Sequence, residues 1–218
     1  MMNRLLSSLA LTLVCSLACA QGYQVTLQAP AYRNGIAYLT YYRSSNLSIA
    51  DSAAFSANGV AVFKGKDKLQ PGIYVVVFPG KQSRVEFLVD KEQKINIKAP
   101  DITDLVHKTV ITGSKENILY QEYQKYVAIK GTQLNQEREA YAASKTKADS
   151  LLHEKQYNTF NSELNAYREG IIRKNPTAML SVLLKAMKDP LPPGKQPVTH
   201  ADSVAYYNYY KAHYWDGI

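Results

Sequence analysis

An α+β chain is predicted: an N-terminal antiparallel β-sandwich or open barrel followed by an α-helical region. Three observations predict it. From Tyr23 to Thr112 apolar and polar residues mostly alternate with period two. From Ser114 onward apolar residues return every three or four positions. The turn pairs Asn34-Gly35, Asn58-Gly59, Pro71-Gly72 and Pro79-Gly80 all fall in the first half. Period two is the signature of a half-buried strand, and period 3.6 that of an amphipathic helix.

The chain opens on an export signal. Arg4 supplies a positive start, and Leu5 to Leu17 is an apolar run too short to span a bilayer comfortably. Ala18-Cys19-Ala20 fits the small-x-small pattern of a cleavage site, leaving Gln21 as the new first residue. A lipoprotein signal cut before Cys19 is the rival, but it wants an aliphatic residue where Ser16 stands. Residues 1–20 are therefore expected to be a signal peptide, 21–113 a β-domain and 114–218 a helical domain. The expected location is the periplasm, with membrane attachment only if Cys19 carries lipid.

In the β-half, Val25, Leu27 and Ala29 alternate with Gln24, Thr26 and Gln28. Ile36 to Arg43 is rich in aromatic and β-branched residues, as strands are. Asn34-Gly35 and Asn58-Gly59 are hairpin signals, the second between Ala53-Ala54-Phe55 and Val60 to Phe63. Ile73 to Phe78 is a continuous apolar run, expected as a central strand buried on both faces. Val85 to Val89 and Ile95 to Ile97 alternate again.

In the helical half, Ser114 is an expected N-cap, with Glu116 complementing the helix dipole. Leu119, Tyr123, Tyr126, Val127 and Lys130 follow at helical spacing, and Gly131 is expected to interrupt or end that helix. Gln133 to Lys147 reads as an exposed helix or a mobile connection. Tyr157, Phe160, Leu164, Tyr167 and Ile171 make a seam on one helix face. Asn175-Pro176 is expected to cap and start the next helix, whose apolar face holds Ala178, Met179, Val182, Leu183, Ala186 and Met187. Pro190 to Pro197 is a stiff connector. Thr199 with Asp202 forms a capping box for a last helix, with Val204, Tyr207, Tyr210 and Tyr214 on the face expected to pack.

Composition narrows the chemistry. The 218 residues carry 26 Lys plus Arg against 18 Asp plus Glu, a formal net charge of +8. The basic residues are spread evenly and the chain is exported, so no nucleic-acid partner is expected. Both cysteines, Cys15 and Cys19, lie within the leader, which excludes a disulfide scaffold, a Cys-ligated zinc site and a CxxC centre. None of the four histidines forms HExxH or His-x-His, no Ser lies in GxSxG, and no phosphate-binding glycine loop occurs. His213 with Asp216 reads as a solvated helix end. No cofactor, metal or catalytic residue is therefore expected, and the chain reads as a non-enzyme.

Tyrosine is the outlier, with 17 against 5 Phe and 1 Trp. Tyr38, Tyr41 and Tyr42 share one strand and cannot all face the core. Tyr206, Tyr207, Tyr209, Tyr210 and Tyr214 ring a short helix, more than one face can bury. Exposed aromatic clusters mark contact surfaces, so Tyr206, Tyr209, Trp215, Tyr41 and Tyr42 are the expected partner-binding residues.

These residues also carry a resemblance. Gly22-Tyr23-Gln24-Val25, the run Tyr38 to Arg43, Asp51-Ser52, Asn58-Gly59 and Pro71-Gly72-Ile73-Tyr74 are similar to a domain of unknown function in exported bacterial proteins. There it is usually the N-terminal β-domain ahead of a TlpA-like thioredoxin domain. Gly113 to Asn117, Tyr120, Tyr123, Asn175-Pro176 and His213 to Asp216 resemble its junction and helical region. The resemblance implies an accessory module whose partner is a thioredoxin-like domain or an envelope protein, a second copy of the chain being a further candidate. A truncated thiol–disulfide oxidoreductase and a sandwich that binds glycans or other envelope ligands are the alternatives.

Overall fold

The computed structural model describes residues 22–188, 190, 192, 198–214 and 216. The expected leader, most of the proline-rich connector and Trp215 lie outside the described residues. Within them the chain is α+β. Eight strands are formed by Tyr23–Gln28 (β1), Ile36–Arg43 (β2), Asn46–Ala54 (β3), Val60–Gly65 (β4), Gly72–Val77 (β5), Arg84–Val89 (β6), Lys94–Lys98 (β7) and Val110–Thr112 (β8). A one-turn helix, Leu105–Lys108 (α1), precedes β8. Four helices follow: Lys115–Ala143 (α2), Lys147–Lys174 (α3), Met179–Ala186 (α4) and His200–His213 (α5).

The strands make two four-stranded sheets, ordered β4-β1-β7-β8 and β3-β2-β5-β6. Alternation decides which side chains lie between them. Val25 and Leu27 from β1, Ala37 and Leu39 from β2, Phe63 from β4, Val76 from β5, Phe87 from β6 and Ile95 and Ile97 from β7 are all buried in one shared core. The arrangement is a sandwich rather than an open barrel. It is antiparallel except at one place: β1 and β7 pair in parallel, with Val25 opposite Ile95 and Leu27 opposite Ile97.

Two turn signals are corrected by this topology. Asn34-Gly35 leads from β1 to β2, and Asn58-Gly59 from β3 to β4, and each joins strands of different sheets. The hairpin of this region is β2–β3, closed where Arg43 faces Asn46, with Ser44 in the left-handed region at φ 56°. As expected, β5 is an interior strand, and Tyr74, Val75 and Val76 on both its faces are buried.

The helical half departs from expectation at three points. Helix α2 runs through Gly131 without a break. One glycine costs a helix interior about 1 kcal/mol, and packing on α3 outweighs it. Tyr126 stacks on Tyr167 with centroids 3.9 Å apart, and Lys130 pairs with Glu163. Asn175 ends α3 rather than starting α4, accepting the C-cap role as its amide donates to Ile171 O; α4 begins at Met179 after Ala178. Helix α5 does form with its capping box, but Val204 and Tyr207, on the face expected to pack, are 45% and 59% exposed.

That capping box gives a pH prediction. The Thr199 backbone N–H, the Thr199 hydroxyl and the Val198 N–H hold the Asp202 carboxyl below the ordinary aspartate range. A depressed carboxylate stabilises above its unfolded pKa of about 3.9 and loses that stabilisation as pH falls through the lowered value. Hydrogen exchange at the first turn of α5, taken relative to the intrinsic amide rate at each pH, is therefore expected to accelerate on acidification in this range. In Thr199→Ala it is fast already at neutral pH. Protection that is the same at both pH values in the wild type contradicts the assignment.

Candidate interaction surfaces and the junction that positions them

The first turns of α2 fasten the helical half to both sheets. Gly113, at φ 90°, lets the chain leave β8; a Cβ there would stand 2.3 Å from Lys94 O. Ser114 caps the helix by accepting from Asn117 N–H. The Asn117 side chain then behaves as a one-residue strand against the β6 edge. Its Oδ1 accepts from Leu88 N–H at 2.7 Å and its Nδ2 donates to Leu88 O at 2.7 Å, with Asn117 and Leu88 both fully buried. One turn on, Gln121 does the same at the other sheet's edge. It accepts from Ile111 N–H at 2.9 Å and donates to Thr109 O at 2.8 Å. Glu116 accepts from Met179 N–H at 3.1 Å, so α2 also caps α4.

An apolar layer backs these bonds. Leu88 points outward from β6 into a second core made with Tyr120, Tyr123, Ile171, Leu180 and Leu184, with Ile73 of β5 packed against it. The helices thus cover one corner of the outer face of the β3-β2-β5-β6 sheet.

The helices leave the rest of that face uncovered, though Thr40 and Val75 within it are buried by neighbouring side chains. Reading across the strands, Leu47, Tyr42 and Ile73 form one row with Leu88, Ile49, Thr40 and Val75 a second with Glu86, and Tyr38 and Val77 a third with Arg84. Glu86 is held by two tyrosines: its Oε1 accepts from Tyr42 OH at 2.7 Å and its Oε2 from Tyr120 OH at 3.4 Å. The carboxylate bond raises the Tyr42 hydroxyl's pKa, with burial adding to it. Burial is the main cause of the rise at Tyr120. Both phenols stay protonated and act as donors. Between the β2–β3 hairpin and Arg84 lies a groove of about 390 Å³. Tyr38, Thr40 and Val77 form its floor, Leu47 and Ile49 one wall, and Lys81 and Arg84 the rim.

The five residues expected to bind a partner fall in different surroundings. Tyr41 turns inward, half-buried against the sandwich core with its ring 6.0 Å from that of Tyr74. Tyr42, 41% exposed, lies on the open sheet face. Tyr206 and Tyr209 are half-buried on α5, where the Tyr209 ring lies 4.1 Å from that of His213. Trp215 is outside the described residues. His213 Nδ1 lies 2.6 Å from Asp216 Oδ2. Among the described residues no three His, Cys, Asp or Glu side chains gather as metal ligands would, and no helix is long and apolar enough to cross a membrane.

Reading the sequence missed Asn117 and Gln121 as edge-fasteners. Their signal is two amides four residues apart in the first turns of α2, beside the apolar positions Tyr120 and Tyr123. No curated protein matches the chain. Residues 23–120 match the family model described as a domain of unknown function, DUF4369, so the matched region takes in all eight strands and ends within α2, just past Asn117.

Proposed function

We propose that this protein is an exported, non-catalytic interaction module of the cell envelope, like the N-terminal region of TlpA-like thiol–disulfide oxidoreductases. Its α5 helix docks a thioredoxin-like domain or an envelope protein. One observation carries the reading. Helix α5 is closed at its start by a reciprocal capping box and bears four tyrosines along its length, yet none of its 14 residues is buried. An aromatic ring taken out of water contributes about 1.5–3 kcal/mol, so two or three of them anchor a contact. Tyr206, Tyr209 and Trp215 are the proposed anchors. Export rests on Arg4, the Leu5 to Leu17 run and Ala18-Cys19-Ala20. Residues 21–218 contain no cysteine, so in this reading disulfide exchange is left to the partner.

The test is co-sedimentation of the exported chain with a purified TlpA-like thioredoxin domain. Binding is expected, and Tyr206→Ser with Tyr209→Ser weakens it at least tenfold while the urea midpoint stays within error of wild type. A midpoint that falls as far as that of a core variant would show that the rings serve the fold, and the docking reading fails. Mass spectrometry of the exported protein checks the leader: an N-terminus at Gln21 agrees with it, and a diacylglyceryl group on Cys19 contradicts it.

A further inference from the structure

We infer that the β6 edge, from Arg84 to Glu86, takes an extended, apolar segment of a partner protein as an added strand. The hydrogen bonds leave two rungs open there. Leu88 turns its N–H and C=O away from β5, and Asn117 takes both. The Ser83 C=O points the other way and accepts from Phe78 N–H. In an antiparallel pair the direction alternates from residue to residue. The β5–β6 register runs without a shift from Val77 opposite Arg84 to Gly72 opposite Val89. Arg84 and Glu86 therefore turn their backbone groups outward, as Leu88 does. β6 is the outer strand of its sheet, and among the described residues no strand pairs with that edge.

The spacing of the rungs selects a polypeptide. Alternate residues of a strand lie about 6.8 Å apart. That is the repeat of another extended backbone, whereas a single amide group fills one rung only. Asn117 already fills the rung at Leu88 in that way, and its side chain ends the site there. An added strand is thus offered the rungs at Arg84 and Glu86 and no further.

The space beside these rungs selects apolar side chains. Arg84 and Glu86 line a cavity of about 420 Å³ between β6, β8, α1 and α2. Ligand sites commonly fall at about 300–1,000 Å³. Leu105 and Val106 of α1, Ile111 of β8 and Val127 of α2 are among its walls. Val106 is 46% exposed, so the cavity reaches the surface. The Glu86 carboxylate has both oxygens held by the hydroxyls of Tyr42 and Tyr120, which leaves no free acceptor there to call for a cation. An added strand sends every second side chain to one face, and apolar ones cover these walls. A second β6 would bring its own α1 and α2 into the same gap, which disfavours a second copy as the occupant.

The experiment uses residues 21–218 and a labelled peptide, Val-Thr-Val-Thr-Val, blocked at both ends. Hydrogen exchange by NMR on the free protein is expected to show the Val85, Phe87 and Leu88 amides protected and the Glu86 amide fast. Adding the peptide slows Glu86 at least tenfold. Two versions of the peptide are N-methylated at alternate residues. The one that loses its donors toward β6 binds at least tenfold more weakly, and the other binds as the parent does. A peptide with aspartate in place of valine is also at least tenfold weaker. Val106→Asp, at an exposed position, weakens the parent peptide at least tenfold while the urea midpoint stays within error of wild type. Tyr206→Ser with Tyr209→Ser leaves peptide binding unchanged, which separates this site from the α5 contact. A Glu86 amide as protected as Leu88 before any peptide is added overturns the inference. So does protection of Glu86 that rises with protein concentration alone, which gives the edge to a second copy. No binding, equal binding of the two methylated peptides, or binding that leaves Glu86 fast overturns it as well.

Discussion

Replacing Asn117 with alanine is expected to destabilise the protein by about 3 kcal/mol, as the cost of leaving two buried backbone groups without partners. The side chain is fully buried, and both its bonds go to one residue, Leu88, at 2.7 Å. Leu88 lies in β6, an edge strand, so no neighbouring strand can take over its N–H and C=O. Alanine leaves both unsatisfied and opens space beneath the second core. Asn117→Asp separates the two bonds. It keeps the acceptor for Leu88 N–H but sets a carboxylate against Leu88 O. That repulsion, together with burial, raises the carboxyl's pKa in the folded state. A raised carboxyl stabilises when protonated, so this variant is expected to be weak at neutral pH and to recover as pH falls. The wild type shows no such recovery from this site. Urea unfolding of the three proteins across pH measures both effects. An Asn117→Ala protein within about 0.5 kcal/mol of wild type, the usual span of a neutral surface change, would show that the Leu88 groups are satisfied by water and that the junction is not a lock.

The strands were legible because alternation is a local property. Val25, Leu27 and Ala29 sit at successive inward positions, and all three are fully buried. Pairing was not legible, because it joins residues far apart. Asn-Gly marks a place where backbone with positive φ is easy, and Gly59 does adopt φ 72°. It does not say whether the next strand returns beside the last or crosses to the other sheet. The β2–β3 hairpin carries neither Asn-Gly nor Asp-Gly; Ser44 adopts the left-handed conformation without that signature. The parallel β1–β7 pair links residues about seventy positions apart, beyond any pattern of spacing.

The same division holds for the surfaces. That Tyr41 and Tyr42 point to opposite faces follows from the pleat, but which face is the core depends on the second sheet. The structure sends Tyr41 inward and leaves Tyr42 beside Glu86. On α5, the grouping of Val204 with Tyr207, Tyr210 and Tyr214 is correct as helical geometry. What covers a helix face is tertiary, and the expected cover is not there at Val204 and Tyr207. The Asn117 and Gln121 contacts were hidden for a further reason. A polar residue in the first turns of a helix is ordinarily a solvated one, and only the position of two sheet edges turns these two amides into structural bonds.

A fragment of residues 22–113 contains every strand, and the change of period at Gly113-Ser114 invites the expectation that it folds alone. The contacts argue for a different result. Cutting there removes Asn117 and Gln121, and with them four hydrogen bonds to edge backbone at Leu88, Thr109 and Ile111. It also uncovers Leu88 and Ile73, which face the helices rather than the sandwich interior. Burying one such side chain contributes about 1.5–3 kcal/mol, and each hydrogen bond about 1 kcal/mol. The combined loss is therefore on the order of 5 kcal/mol or more, against a typical total of about 5–15 kcal/mol. The inner core of Val25, Leu39, Phe63, Phe87 and Ile97 survives the cut, so strand content is expected to persist by circular dichroism. Cooperativity is not: the 22–113 fragment should bind a hydrophobic dye and unfold over a broad range. Extending it to residues 22–130 restores the amide pair and the Tyr120 and Tyr123 cover, and a cooperative transition should return. Its midpoint lies below that of residues 22–218, because Ile171, Leu180 and Leu184 are still missing from the second core. Identical sharp transitions for the two fragments would mean that the sandwich is complete at Gly113 and that α2 rests on it without holding it.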